Sequence, residues 1–108
     1  MTTYILNAPV LTAYGEYVFD PISVEEAREF LSEGFTSAVG HEGTATFMST
    51  LLGIQIPTNR TTITMRAGDK AVVFRFLTRL QEGVILTAEE VSKTPFQLGF
   101  LQMNRAYE

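Results

Sequence analysis

The only histidine of the chain, His41, stands in the stretch Ala38-Val39-Gly40-His41-Glu42-Gly43-Thr44, just ahead of an apolar run that ends at Gly53. An imidazole changes charge near neutral pH, so it can donate a proton to a leaving group or accept one from a nucleophile. Gly40 and Gly43 on either side carry no Cβ, and a ligand can approach the backbone closely there. If a helix starts at this point, the unpaired N–H groups of its first turn and its dipole draw an anion to the same spot. A histidine that merely caps or packs against the helix is the competing reading.

Arginine supplies a second chemistry. The chain has six Arg (28, 60, 66, 75, 79 and 105) against two Lys, and the planar guanidinium suits bidentate binding of phosphate or carboxylate. In Lys70-Ala-Val-Val-Phe-Arg-Phe-Leu-Thr-Arg-Leu80 the alternation predicts a strand with Val72, Phe74 and Phe76 on one side. Arg75 and Arg79 then flank Leu77 on the other side, where they repel unless an anion sits between them. The loop Pro57-Thr58-Asn59 delivers Arg60 at the start of a further segment, and binding residues concentrate on such loops. Glu82, in Arg79-Leu-Gln-Glu-Gly83, can accept a hydrogen bond from a ligand or orient an arginine. Solvated surface arginines are the alternative throughout.

The elements that must hold these groups are legible in outline. Strands are expected over 2–8 and 16–20. A helix over 23–34 carries a Ser23/Glu26 capping box and ends at Gly34. A second helix over about 42–52 sets Thr44, Phe47, Met48 and Leu51 on one stripe, with Gly53 as its stop. The alternating segment 60–65 and the strand 70–80 read as a hairpin about the turn at Ala67-Gly-Asp-Lys70. A short capped helix over 87–93 and a last strand over 96–103 follow. This pattern implies an α/β or α+β fold, one small domain over 1–108 with a mixed sheet flanked by helices.

Composition closes off several function classes. With no cysteine there is no disulfide framework, thiol nucleophile or Cys-ligated zinc. One His plus carboxylates is poor material for a transition-metal cage. A net charge of -4 and a pI near 4.9 have the wrong sign for coating long nucleic acid. No apolar run approaches the ~20 residues that span a bilayer, and the first residues lack the basic stretch of a secretory signal. A cytoplasmic protein that binds a small discrete anion fits these limits, with no metal or other cofactor.

Taken together, Asn7 in Leu6-Asn-Ala-Pro-Val-Leu-Thr-Ala-Tyr-Gly15, the run Ser37–Gly53 with its Gly-His-Glu, Pro57-Thr-Asn-Arg60, the strand Gly68–Phe76 and Arg79–Gly83 resemble the viral anti-CRISPR ring nucleases and their bacterial and mobile-element homologues. The segments occur in that family's order over almost the whole chain. The resemblance implies a homodimer that cleaves cyclic tetra-adenylate, the second messenger of type III CRISPR defence, at a pocket across the dimer interface. It implies His41 as general acid, Arg60 and Arg79 as phosphate-holding residues and Glu82 as a functional glutamate. It further implies ligand contacts from Asn7, Gly40, Gly43, Thr44, Asn59 and Arg75. Gly43 and Val10 stand where some members carry serine, and Arg75 adds charge at a position that is polar or basic in others.

Cleavage of this kind needs no metal. The ribose 2′-OH attacks its neighbouring phosphorus in line, arginines stabilise the charge gathering on the phosphoryl oxygens, and the acid protonates the departing 5′-oxygen. The products are linear di-adenylate with 2′,3′-cyclic phosphate ends. Two other readings stand beside it: a module that sequesters cyclic oligonucleotide without cutting it, and a DNA-binding regulatory protein, which the acidic pI opposes. For the dimer contact, the exposed side of the second helix and the final strand are the expected surfaces.

Overall fold

A computed structural model describes residues 2–7, 13–77 and 87–107. Its elements run β1 (Thr3–Leu6), β2 (Gly15–Pro21), α1 (Val24–Leu31), β3 (Thr36–Ala38), α2 (Glu42–Leu52), β4 (Lys70–Phe76), α3 (Ala88–Lys93) and β5 (Phe96–Ala106). The five strands form one mixed sheet in the order β2-β5-β4-β1-β3. β1 lies parallel to both of its neighbours, β3 and β4, while β5 runs antiparallel to β4 and β2. The expected α/β mixed-sheet architecture is what the chain adopts.

Helices cover one face of this sheet. Ala27 and Leu31 of α1 and Ala45, Phe47, Met48 and Leu52 of α2 join Ile5, Val72, Phe74 and Leu98 in a single buried cluster. The ring of Phe47 meets Phe74, Phe76 and Phe96 at centroid separations of 5.3, 4.7 and 5.9 Å, geometries in which aromatic edges and faces attract. Val72, Phe74 and Phe76 do share a side, as the alternation of β4 requires. The opposite face carries a second cluster around Leu6, Met65, Ala71, Val73, Leu101 and Met103.

Most helix ends follow the sequence signals, but α1 stops at Leu31 with Ser32 as its C-cap, three residues short of the expected Gly34. Ser23 and Glu26 exchange both capping-box hydrogen bonds, and Thr87 and Glu90 do the same ahead of α3. Gly53 ends α2 at φ 66, a left-handed conformation that costs a residue with a Cβ far more than glycine. The Arg28 side chain reaches from α1 to the last carbonyls of α2, with Nε donating to Leu52 O at 2.8 Å.

Two expectations are corrected. Residues 60–65 form no strand and no hairpin with β4, because β1 and β5 already occupy both edges of β4. Their alternation is real but serves burial alone: Met65 is buried and Ile63 half-buried in the second cluster, with exposed residues between. The final strand does not offer two apolar faces to a partner either. β5 is interior, with Leu98, Leu101 and Met103 buried within the chain, and Phe30 of α1 stacks on Phe100 at 4.4 Å. The large apolar side chains left exposed include Val18, Phe19 and Leu77.

Candidate functional site

The parallel strands β1, β3 and β4 all end toward the same margin of the sheet. Leu6 aligns with Ala38 on one side and Val73 on the other, so the carboxyl ends of β1 and β3 lie level. In open α/β sheets this margin is where ligands bind. Asn7, half-buried, directly follows β1, and the link from β3 to α2 consists of Val39, Gly40 and His41 alone.

His41 is the N-cap of α2, with extended backbone (φ -122, ψ 128), and its carbonyl accepts the Ala45 N–H at 2.9 Å to close the first turn. Its imidazole makes no capping hydrogen bond and is exposed. His41 thus holds the cap position through its backbone alone, and its side chain is neither a capping group nor buried in the core. The N–H groups of Glu42, Gly43 and Thr44 precede the first intrahelical bond and have no acceptor in the helix. Thr44 is buried at 7% exposure as part of the inner stripe of α2, while Gly40 and Gly43 are half-buried. Thr44 thus lies nearer the core than a ligand-contacting role by its side chain would suggest.

Arg60 comes to the same place by a different route. After Gly53 the chain reverses, held where the Ile56 N–H donates to Ser49 Oγ at 2.9 Å. It then runs along the outer edge of β3. Asn59 N donates to Val39 O at 2.8 Å, Asn59 Nδ2 to Ser37 O at 2.7 Å, and Ser37 Oγ to Pro57 O at 2.6 Å. These bonds occupy an edge that would otherwise invite another chain. They also bring Arg60 onto Gly40: a Cβ added to Gly40 would stand 3.4 Å from Arg60 Cγ and 3.9 Å from its Nε. The arginine stem lies across the glycine that precedes His41.

Arg75 is elsewhere. It projects from the face of β4 opposite Phe74 and Phe76, and its Nε donates to Gln97 Oε1 at 2.8 Å across the β4–β5 pair, away from β1 and β3. It borders a cavity of about 600 Å³ whose lining includes Phe19, Val73, Phe96 and Gly99. Arg79 and Glu82 lie outside the described residues. One contributor escaped the sequence reading: Ser37, 5% exposed, whose hydroxyl also accepts the Val39 N–H at 3.3 Å. A small polar residue at an inward position of Thr36-Ser-Ala-Val39 was the available signal.

Comparison with known proteins places the chain in a family and matches its fold. The model of the STIV B116-like family matches residues 3–98. Uncharacterized protein 26 of Sulfolobus islandicus filamentous virus is 39% identical over 106 residues, 93% of this chain and 90% of that one. The uncharacterized protein YddF of Bacillus subtilis is 34% identical over 104 residues, 94% and 96% of the two chains. In fold, the chain superposes on B116 of Sulfolobus turreted icosahedral virus with a TM-score of 0.80 at 22% identity, covering 94% of this chain and 99% of that one. With the family model and these relatives each spanning nearly its whole length, the chain belongs to the STIV B116-like family.

Proposed function

We propose that this protein is a metal-independent phosphodiesterase that opens cyclic tetra-adenylate, a ring nuclease that switches off or evades type III CRISPR defence. The observation that carries the reading is the pairing at the carboxyl ends of the parallel strands. An exposed imidazole that makes no capping hydrogen bond stands next to a glycine overlain by the Arg60 stem, at a helix N-terminus. A cation to neutralise a phosphate, N–H groups to orient it and an acid to protonate the leaving oxygen are the three parts the reaction requires. Arg79 and Glu82, which follow β4 in sequence, are assigned to the same site by resemblance.

The ring has two-fold symmetry, and an isologous dimer duplicates every contact. One Arg60 and one Arg79 per chain give four arginines for four phosphates. We assign the active form as a homodimer of about 24 kDa, twice the 12.0 kDa chain, with both His41 side chains facing one pocket. Light scattering should report that mass. A monomer under saturating ligand would rule out the shared pocket while leaving the role of His41 open.

The deciding experiment is incubation with cyclic tetra-adenylate and cyclic hexa-adenylate in EDTA, with the products separated by mass. Linear di-adenylate with a 2′,3′-cyclic phosphate is the expected product, at a rate unchanged by chelation. Intact ring bound at high affinity would make the protein a sequestering module. Activity lost to EDTA and restored by metal would overturn the mechanism.

A further inference from the structure

Arg60 belongs to no regular element, yet a phosphate-gripping guanidinium has to be held in place. The bonds that hold it converge on two side chains. The buried Ser37 hydroxyl donates to Pro57 O and accepts from Val39 N, so one oxygen ties the strand end to the incoming loop. Two residues on, Asn59 donates its backbone N–H to Val39 O just past β3 and its side-chain Nδ2 to Ser37 O within it. Arg60 is the next residue, and its stem rests on Gly40, with Arg60 Cγ 3.4 Å from where a Cβ on that glycine would stand.

From this geometry we infer that Ser37 and Asn59 are positioning residues for Arg60, setting its stem against Gly40. This rests on the reading that Arg60 holds a ligand phosphate. It moves Asn59 from the ligand-contacting set to the frame behind it: the amide is committed to Ser37 O, and the side chain acts by fixing where the following residue begins. The same bonds explain why an irregular segment can serve in place of a strand. Three hydrogen bonds to the edge from Ser37 to Val39 constrain it as a ladder would.

A double-mutant cycle tests this on the full-length protein. Ser37→Ala and Asn59→Ala should each weaken binding of cyclic tetra-adenylate by between about threefold and tenfold, and should do almost nothing in an Arg60→Ala background, since residues acting through one group are non-additive. Ser37→Thr, which keeps the hydroxyl, should recover affinity to within about twofold of the parent. Equal losses in both backgrounds would mean that the two residues support the fold generally, and would overturn the inference. Asn59 is exposed, so its variant carries the cycle if Ser37→Ala melts. A ligand-free readout separates this from the functional reading. The Arg60 Nε–Hε signal should show restricted motion in the parent protein and fast averaging in Asn59→Ala. If the parent binds no cyclic tetra-adenylate, the functional reading fails, and the NMR signal alone decides the positioning role.

Discussion

The two margins of the sheet treat an exposed arginine in opposite ways. At the β3 margin the strand edge is closed by the 57–60 segment, the hydrogen bonds are internal, and Arg60 and His41 are left at the surface beside a bare glycine. Toward the β2 margin, Arg75 is tied to Gln97, and the surface around it is an apolar hollow where Phe19 lies exposed over Gly99. The difference teaches which arginine is equipped for an anion. An arginine whose stem lies on the glycine two residues before a helix can act with that helix's N–H groups, whereas one beside phenyl rings has only its own charge to offer. Phe19 opens onto that hollow, while Val18, the preceding residue of β2, is exposed on the opposite face of the sheet.

Replacing His41 gives the largest expected effect and addresses the β3 margin directly. His41→Ala should lower the cleavage rate of cyclic tetra-adenylate by about 10²–10⁴-fold while changing affinity by less than about tenfold, because proton transfer matters in the transition state more than in the bound ring. Single-turnover rates and calorimetry separate the two quantities. A near-normal rate in the variant would reduce His41 to a structural residue.

The arginines come next, and they set the two margins against each other. Arg60→Ala should lower affinity by at least about tenfold, the equivalent of losing a charge-assisted contact worth roughly 1.5–3 kcal/mol. Arg75→Ala should cost less than about threefold, since its nearest polar partner is Gln97 and not the His41 site. Calorimetry at one fixed salt concentration makes the comparison. If Arg75→Ala proves the costlier of the two, the ligand sits across β4 and the assignment of the β3 margin is wrong.

How much of this was legible in the sequence depends on how local the signal was. Both capping boxes, the Gly53 stop and the α2 boundaries are written within a few residues of where they act, and each is found in place. The segment 60–65 misled because alternation reports burial on one side, whereas a strand also needs an unpaired neighbour. Only the sheet order reveals that β4 has none to spare. His41 and Arg60 could be named from residue type and loop context. The packing of Arg60 on Gly40, next to His41, could not, because it depends on hydrogen bonds from Ser37 and Asn59 to residues about twenty positions away.

The smallest effect is expected at the far end of the sheet, and it serves as the control for the comparison. There the Tyr107 hydroxyl donates to Glu16 Oε1 at 3.1 Å, and Arg105 lies 5.8 Å from the Tyr107 ring centre. The hydrogen bond to Glu16, aided by partial desolvation and by repulsion between the carboxylate and a phenolate, raises the phenol above its ordinary value of 10.0. A pKa raised in the folded state favours the neutral phenol. Its contribution to stability is therefore complete below pH 10 and is lost as the pH climbs through the raised value. Glu16→Gln should bring the Tyr107 titration, followed by ultraviolet difference absorbance, back toward 10.0. It should leave cleavage at neutral pH unchanged, because this end carries the amino ends of the parallel strands and His41 sits beyond their carboxyl ends. A change in rate from Glu16→Gln would mean that the two ends communicate, and the site could no longer be ascribed to the β3 margin alone.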